Sequence, residues 1–260
     1  MQDYHKQLLA YPYEEVWIKS YDGLKLYGKY YEGKKGAPVE ILFHGYRGNA
    51  ERDLCGGVQR CFALGRNALL VDQRASGNSE GKVITFGIKE SKDCVEWVKY
   101  AVNRFGKDAK ILIGGISMGA TTVMMACGDK DLPDNVVGAV ADCGFATPKN
   151  VIDIFIERIK LPSKLFYPFV RLGALIFAGV DIEKGTALKA VAKSKVPIIF
   201  FHGESDKTVL CQDSIDCFNA CPTKKKLVTY PNTGHGMCYL VDKEKYVNEI
   251  KDFEKEINLY

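Results

Sequence analysis

ILIGGISMGATTVMM, residues 111–125, is the stretch that decides how the rest of the chain is interpreted. The apolar run 111–113 predicts a buried strand, and residues 120–125 are typical of a helix. Between them lies the pattern Gly-x-Ser-x-Gly, which places Ser117 on a sharp turn from strand to helix. The flanking glycines give the space that two crossing backbones need at such a turn. We therefore expect the hydroxyl of Ser117 to be presented to a ligand and not packed.

Further apolar runs of strand length alternate with helical patterns along the chain. Residues 91–104 carry apolar side chains at helical spacing, and residues 243–258 predict the last helix. This alternation predicts an α/β fold with a mostly parallel, doubly wound sheet. Residues 16–18 and 24–30, joined through a Tyr-Asp-Gly turn, predict an antiparallel hairpin at the N-terminal edge of the sheet. The predicted parallel strands are residues 39–43, 68–72, 110–113, 136–142, 197–202 and 227–230.

One interval breaks this alternation, because about fifty residues separate the strand that ends near Asp142 from the strand that begins near Pro197. Ordinary connections between strands and helices are much shorter. We interpret residues 145–185 as a small helical cap inserted into one α/β core, formed by residues 1–144 and 186–260. The large apolar side chains of the interval either line an acyl or aromatic pocket or seal the cap onto the core.

The composition predicts one globular domain with a large core, since 47% of the 260 residues are apolar and 26% are charged. The 36 basic and 32 acidic residues are spread along the chain, so we expect no nucleic-acid partner. The densest basic run, residues 224–226, is interpreted as a solvated loop. No run reaches 18 apolar residues and the N-terminal segment lacks an export signal, so we expect no membrane span.

The nine cysteines lie mostly within apolar or helical patterns, which favours reduced thiols and a cytoplasmic location. Cys217 and Cys221 are four residues apart on a predicted helix, but no pair of histidines accompanies them. A zinc site requires more ligands than this pair supplies. We therefore expect neither a metal nor an organic cofactor.

A serine hydroxyl is a weak nucleophile that needs a base within reach. Of the four histidines, His44 and His202 directly follow apolar strands, where a structural role is expected, and His5 lies in the polar N-terminal segment. The fourth, His235, lies in a loop with Gly234 and Gly236 between the last strand and the last helix. His235 is therefore the predicted general base.

The base in turn needs a carboxylate to orient it. Asp206 is the preferred candidate, because it lies just beyond the C-terminal end of strand 197–202, and catalytic groups collect at that edge of open α/β sheets. Glu204 and Asp142 are the two alternatives. Glu204 is expected to shape the turn instead.

Two backbone N–H groups are needed to stabilise a developing oxyanion. Met118, the residue after the serine, is expected to supply one of them. The other is expected from Tyr46 in the loop His-Gly-Tyr-Arg-Gly-Asn at residues 44–49. Gly45 and Gly48 allow this loop to approach the substrate closely.

These motifs together resemble the α/β-hydrolase superfamily from about residue 14 to the C-terminus. Within it the chain is similar to bacterial carboxylesterases and serine aminopeptidase-like hydrolases related to the Bem46 group. It departs from that pattern at Ala75, where relatives usually carry glycine. The resemblance implies the α/β-hydrolase fold and a catalytic set in the order Ser117, Asp206, His235. It rests on residues 44–49, 72–79, 115–119, 202–206 and 234–235.

The predicted function is hydrolysis of a carboxylic ester of a small molecule through an acyl-enzyme on Ser117. The same catalytic set cleaves amides, so an aminopeptidase-like hydrolase acting on short peptides is the alternative. It would bind the free amine through carboxylates in the cap, for which the candidates are Asp153, Glu157, Asp181 and Glu183. A third interpretation is an inactive hydrolase fold that serves as a binding protein. The complete catalytic set argues against that interpretation.

Overall fold

An eight-stranded sheet forms the centre of the protein in a computed structural model that describes residues 2–259. The strands are β1 (Glu14–Lys19), β2 (Lys25–Tyr31), β3 (Val39–Phe43), β4 (Asn67–Val71), β5 (Ile111–Ile116), β6 (Val136–Asp142), β7 (Ile198–Gly203) and β8 (Lys225–Tyr230). They are ordered β1-β2-β4-β3-β5-β6-β7-β8. The hairpin β1-β2 and the pair β2-β4 are antiparallel, and the other described neighbours are parallel. The predicted sheet with its N-terminal hairpin is confirmed.

Eleven α-helices and one π-helix surround the sheet within residues 2–259. The helices are α1 (Gln2–Ala10), α2 (Ala50–Asp53), α3 (Gly57–Ala63), α4 (Ile88–Phe105), α5 (Met118–Cys127), α6 (Pro148–Arg158), α7 (Ser163–Gly173), α8 (Ala187–Val191), α9 (Cys211–Ala220), α10 (Cys238–Val241) and α11 (Lys243–Glu256). The π-helix Ala174–Ala178 directly follows α7. None of these helices is both long and apolar enough to cross a membrane.

Helices cover both faces of the sheet, which explains why β3 and β4 are buried over their whole length. On one face, α4, α5, α8 and α9 pack around Trp97 and Val123 in the largest apolar cluster. On the other face, α1 to α3 pack around Leu8 and Val58, and α10 and α11 pack around Tyr246. The candidate site lies at the carboxyl ends of the parallel strands, between these two layers of helices.

The interval 145–185 contains α6, α7 and the π-helix. Ile152, Ile156 and Tyr167 are buried in one apolar cluster with Met118 and Val209 and thus seal the interval onto the rest of the chain. A second set of large apolar side chains is exposed instead: Leu165, Phe169, Leu172, Leu175, Ile176 and Phe177. The first set fits the sealing role expected for these residues. The second set is largely exposed, and among the described residues none of its members lines the cavity beside Ser117.

The N-terminal helix α1 was not expected from the sequence, and it is held in place by Leu8, which is only 1% exposed. The strands and helices that were predicted agree with the structure to within a few residues at each end. The predicted core begins at Met1 and ends at Tyr260, which both lie outside the described residues.

Candidate active site

Ser117 occupies the single residue between β5 and α5. Its backbone angles, φ 55° and ψ −120°, lie in a region that residues with a side chain rarely adopt. The Ser117 amide donates a hydrogen bond of 2.8 Å to the carbonyl of Asp142 on the neighbouring strand β6. This turn gives the serine the strained conformation expected for the Gly-x-Ser-x-Gly pattern.

Gly115 and Gly119 are required by the crossing of backbones around the serine. A Cβ atom at Gly115 would overlap the backbone of Gly119. A Cβ atom at Gly119 would overlap the carbonyl group of Phe43, at the end of β3. Both glycines therefore permit the close approach of β3, β5 and α5 that the turn needs.

The structure brings the three predicted catalytic side chains together. The hydroxyl Oγ of Ser117 lies 2.8 Å from Nε2 of His235, and Nδ1 of His235 lies 2.6 Å from Oδ2 of Asp206. His235 is in the loop after β8, and Asp206 is in the loop after β7. Both distances are within hydrogen-bond range, so a continuous chain of hydrogen bonds links the carboxylate to the hydroxyl.

The Asp206 carboxylate is fixed in place, with its side chain fully buried. Its Oδ1 accepts hydrogen bonds from the amides of Thr208 at 2.7 Å and Val209 at 3.0 Å, which leaves Oδ2 for His235. Burial opposes ionisation of Asp206, but hydrogen bonds from His202 and His235 hold its pKa well below the ordinary range. The group is therefore a permanently charged acceptor at neutral pH.

Neither alternative carboxylate contacts His235 in this way. Glu204 accepts a hydrogen bond of 2.7 Å from the hydroxyl of Thr229, at the exposed edge of the sheet. Asp142 has a buried side chain that faces a cavity beside Ser117.

His202 is a neighbour of the site that the sequence argument treated only as a strand-end residue. Its Nδ1 lies 2.7 Å from Oγ of Ser214, and its Nε2 lies 3.0 Å from the Val209 carbonyl and 3.3 Å from Oδ2 of Asp206. His202 thus supports the Asp206 loop. The feature of the sequence that could have indicated this role is the spacing of four residues between His202 and Asp206.

His44 also has a structural role, since its Nε2 accepts a hydrogen bond of 2.9 Å from the Gln73 amide. It anchors the start of the loop that carries Tyr46. The same loop is held from the other side by Asp53, whose Oδ2 accepts a hydrogen bond of 3.1 Å from the Gly45 amide.

The two predicted oxyanion donors both lie near the serine, since Met118 directly follows it and Tyr46 lines the same cavity as Ser117. Met118 is the first residue of α5, and Tyr46 lies in the loop after β3. Within residues 2–259, neither backbone amide donates a hydrogen bond to a protein acceptor. The ring of Tyr46 stacks on Phe86 with 5.5 Å between ring centres and also contacts Phe155. Aromatic packing therefore holds the loop in place, and the backbone N–H group of Tyr46 stays available to a ligand.

A cavity of about 430 Å³ opens beside Ser117 and His235. We call it the inner cavity, because it extends to the sheet face that carries α3 and α11. Its walls come mainly from the core, and within residues 145–185 only Phe155 reaches it. Lining residues include Tyr4, Leu54, Ile116, Phe155 and Leu240. The expected pocket thus exists, but α1, α3 and α10 build more of it than the predicted cap does.

The four carboxylates considered for binding a peptide amine lie elsewhere. Asp153 pairs with Lys149, and Glu157 accepts a hydrogen bond from Ser163. The other two, Asp181 and Glu183, both pair with Arg171. Among the described residues, none of the four carboxylates lines the inner cavity.

One group of potential metal ligands exists within the described chain. Ligand atoms of Cys143, Asp206 and His235 lie within 4.8 Å of one another. Burial raises the pKa of the Cys143 thiol well above its ordinary value, which disfavours the thiolate that binds metals. The other two groups already bond to each other. Asp206 and His235 therefore suit hydrogen bonding to each other better than metal coordination.

Comparisons with known proteins agree on the fold. Residues 38–189, more than half of the chain, match the family model described as alpha/beta hydrolase fold. The uncharacterized protein YqkD of Bacillus subtilis is 26% identical over 196 residues, which cover 75% of this chain and 64% of that protein. Protein bem46 of Schizosaccharomyces pombe is 24% identical over 234 residues, covering 87% of this chain and 71% of that protein. The predicted relationship to the Bem46 group is confirmed.

Among solved structures, the Pyrococcus furiosus esterase Pf2001 is similar over 96% of this chain and 93% of its own length. The TM-score is 0.77 and the sequence identity is 24%. A likeness at this level of identity establishes a shared fold.

Proposed function

Because this chain belongs to the α/β-hydrolase fold family, we propose that it is a serine hydrolase that cleaves carboxylic esters of small molecules. The observation that supports this most strongly is the hydrogen-bond chain from Asp206 through His235 to Ser117 beside a largely apolar cavity. An apolar pocket next to an activated hydroxyl suits the acyl group of an ester.

In the proposed acylation step, Oγ of Ser117 attacks the ester carbonyl while Nε2 of His235 takes the hydroxyl proton. The tetrahedral intermediate then collapses, and the leaving alcohol takes that proton from His235. The product is an acyl-enzyme on Ser117. Water then attacks the acyl-enzyme while His235 again acts as the base. This second step releases the carboxylic acid and restores the serine hydroxyl.

Asp206 would hold His235 with its proton on Nδ1 and stabilise the imidazolium that forms. The 2.6 Å contact and the low pKa of Asp206 support that role. The amides of Tyr46 and Met118 would stabilise the negative charge on the carbonyl oxygen. Among the residues that the structure describes, neither amide has to give up a protein hydrogen bond to do so.

We place this enzyme in the cytoplasm and treat residues 145–185 as its cap. None of the nine cysteines forms a disulfide within residues 2–259, which supports a reducing compartment. Two helices and a π-helix with a buried inner side support an inserted cap.

A fluorophosphonate probe tests the nucleophile, because it labels activated serines covalently. We expect the native protein to be labelled, Ser117→Ala to lose the label and Ser205→Ala, a change at an exposed serine near Asp206, to keep it. Labelling that persists in Ser117→Ala would remove Ser117 from this role. A native protein that resists the probe would favour an inactive fold.

The class of bond is tested by comparing p-nitrophenyl esters with aminoacyl p-nitroanilides. We expect ester hydrolysis that depends on Ser117 and little cleavage of the anilides. The reverse preference would identify a peptidase instead.

A further inference from the structure

The inner cavity has a polar inner wall that the proposed reaction does not use. Asp142, the last residue of β6, pairs in register with Ile116 of β5, so their side chains project from the same face of the sheet. Both side chains line the inner cavity. This face is covered by α3 and α11, which contribute Arg60 and Tyr246 to the same wall.

Arg60 lies deeper in the cavity than Asp142. Its guanidinium lies over Gly114, where a Cβ atom would be 3.5 Å from the Arg60 nitrogen. Gly114 is two residues before Ile116, which corresponds to about 7 Å along the strand. The charge of Arg60 is already matched by an ion pair with buried Glu40.

The Asp142 carboxyl, by contrast, has unused hydrogen-bonding capacity. The residue is only 5% exposed, and within residues 2–259 its Oδ1 has no hydrogen-bond partner. Burial raises its pKa to about 6, and the neighbouring Tyr246 hydroxyl only partly opposes this. A buried acceptor without a partner is costly, so such atoms are usually satisfied by a ligand or by water.

Most of the inner cavity is apolar. Ile116, Leu54 and Leu240 line it, and none of their side chains offers a hydrogen-bonding group. A ligand in the inner cavity therefore meets mainly apolar side chains around the Asp142 carboxyl.

We propose that the inner cavity binds the acyl group of the substrate and that Asp142 accepts a hydrogen bond from a hydroxyl carried by that acyl group, several bonds from the ester carbonyl. This inference rests on the proposed ester hydrolysis at Ser117 and specifies its substrate class: esters of hydroxylated, otherwise apolar carboxylic acids.

The charges around the wall select a neutral donor. A carboxylate at the end of the acyl chain would be repelled by Asp142 when that group is ionised. An ammonium would lose its hydration at this buried wall, where burial also disfavours the ionised form of Asp142 that would pair with it. A hydroxyl satisfies Oδ1 without adding charge to a buried site.

The order of chemical steps assigns the cavity to the acyl group. The alcohol departs before water attacks, so the leaving group needs a route to solvent, whereas the acyl group stays attached to Ser117. The inner cavity lies on the sheet face covered by α1, α3 and α10, which contribute Tyr4, Arg60 and Leu240 to its walls. A cavity walled by these helices suits the group that is retained.

The native protein tests this proposal with p-nitrophenyl esters of hexanoic, octanoic and decanoic acid and of their ω-hydroxy counterparts. At one chain length we expect kcat/KM for the hydroxylated ester to exceed that of its alkyl counterpart about tenfold, as a hydrogen bond to a charged acceptor provides. Equal or lower values at all lengths would overturn the proposal, and so would a preference for ω-ammonium esters.

Variants locate the preference within the cavity. In Asp142→Leu the ratio of hydroxylated to alkyl kcat/KM is expected to fall below one, and in Asp142→Asn, which keeps an acceptor oxygen, to fall only in part. Asp252→Asn is the control, because it makes the same change of carboxylate to amide on the exposed side of α11. We expect this control to keep the native ratio. An unchanged ratio in Asp142→Leu would contradict the assignment even if the native preference were found.

Failure of this inference differs from failure of the proposed function. If alkyl esters are hydrolysed in a Ser117-dependent manner without any preference for a hydroxyl, the hydrolase stands and the acyl subsite is wrong. If no ester is hydrolysed by the native protein, the proposed function itself is wrong.

Discussion

Ser117 is held in a backbone conformation that costs a residue with a side chain on the order of 1–3 kcal/mol. Surrounding contacts enforce it, since its amide is bonded to the Asp142 carbonyl and its neighbours Gly115 and Gly119 lie against other backbone segments. The turn therefore positions Oγ before any substrate arrives, which is the geometric condition for the 2.8 Å contact with His235.

The catalytic side chains are expected to act as one unit. Ser117→Ala and His235→Ala should each lower kcat for p-nitrophenyl acetate by on the order of 10⁴-fold or more, and the double variant by about the same factor. Steady-state kinetics on the three variants checks this. Losses that multiply in the double variant would show that the two residues act independently.

Asp142 should make the stability of the fold depend on pH. Its pKa is raised from 3.8 to about 6, so the folded state holds its proton more tightly than the unfolded chain does. Stability from this group is therefore largest below about pH 4 and falls as pH rises to about 6, by on the order of 3 kcal/mol.

The measurement is urea unfolding of the native protein and of Asp142→Asn between pH 4 and 7.5. We expect the variant to gain stability relative to the native protein as pH rises through this window. If the difference in free energy of unfolding between the two proteins is independent of pH, burial does not raise the pKa of the Asp142 carboxyl.

At the scale of residues, the sequence was enough to bring Ser117, His235 and Asp206 forward as candidates, because four histidines leave few choices and strand ends limit the carboxylates. Their roles as a catalytic set remain a prediction. The sequence could not indicate the environment of Asp142, since the missing partner of Oδ1 depends on which face of β6 is covered and by which helices.

At the scale of elements, α1 shows the limit of periodicity. A helix of nine residues is shorter than the about 12–15 residues that give a marginally stable isolated helix. Its stability must come from packing, above all from Leu8 against the cluster around Val58. The local sequence does not predict that contact, whereas the apolar runs of the parallel strands are enough to predict the strands.

Leu8 and Leu9 form a matched pair for testing how α1 is held. Leu8 is 1% exposed and Leu9 is 59% exposed. Leu8→Ala should lower the free energy of unfolding by about 2–4 kcal/mol, and Leu9→Ala by no more than about 0.5 kcal/mol. Urea denaturation of both variants measures this. Equal small effects would mean that α1 contributes little to the fold.

At the scale of the whole molecule, a buried network of charges joins the sheet to two helices that cover the same face of it. Glu40 on β3 pairs with Arg60 on α3 and, at 2.5 Å, with Arg66 before β4, and Arg66 also pairs with Glu254 on α11. Although burial opposes ionisation of Glu40, the two guanidiniums hold its pKa below the ordinary value. Glu40 lies in a predicted apolar strand, and the residues next to it in the sequence do not predict its pairing with Arg60 and Arg66.

Removing the shared carboxylate should destabilise the entire fold. Glu40→Gln leaves two buried guanidiniums with one carboxylate and is expected to cost about 3–5 kcal/mol. Asp252→Asn, which breaks an exposed pair with Lys255, is the control and should cost less than about 1 kcal/mol. Thermal and urea unfolding compare the two. Similar effects would show that the network is not a main stabilising element.

The central claim is that the chain forms an acyl-enzyme on Ser117. The most direct measurement mixes the protein with p-nitrophenyl octanoate, quenches it within the first turnover and combines the p-nitrophenol burst with intact and peptide mass spectrometry. We predict about one equivalent of p-nitrophenol and a mass increase of one octanoyl group on the peptide that contains Ser117, both absent from Ser117→Ala. Hydrolysis without an adduct, or an adduct on another residue, would contradict the claim.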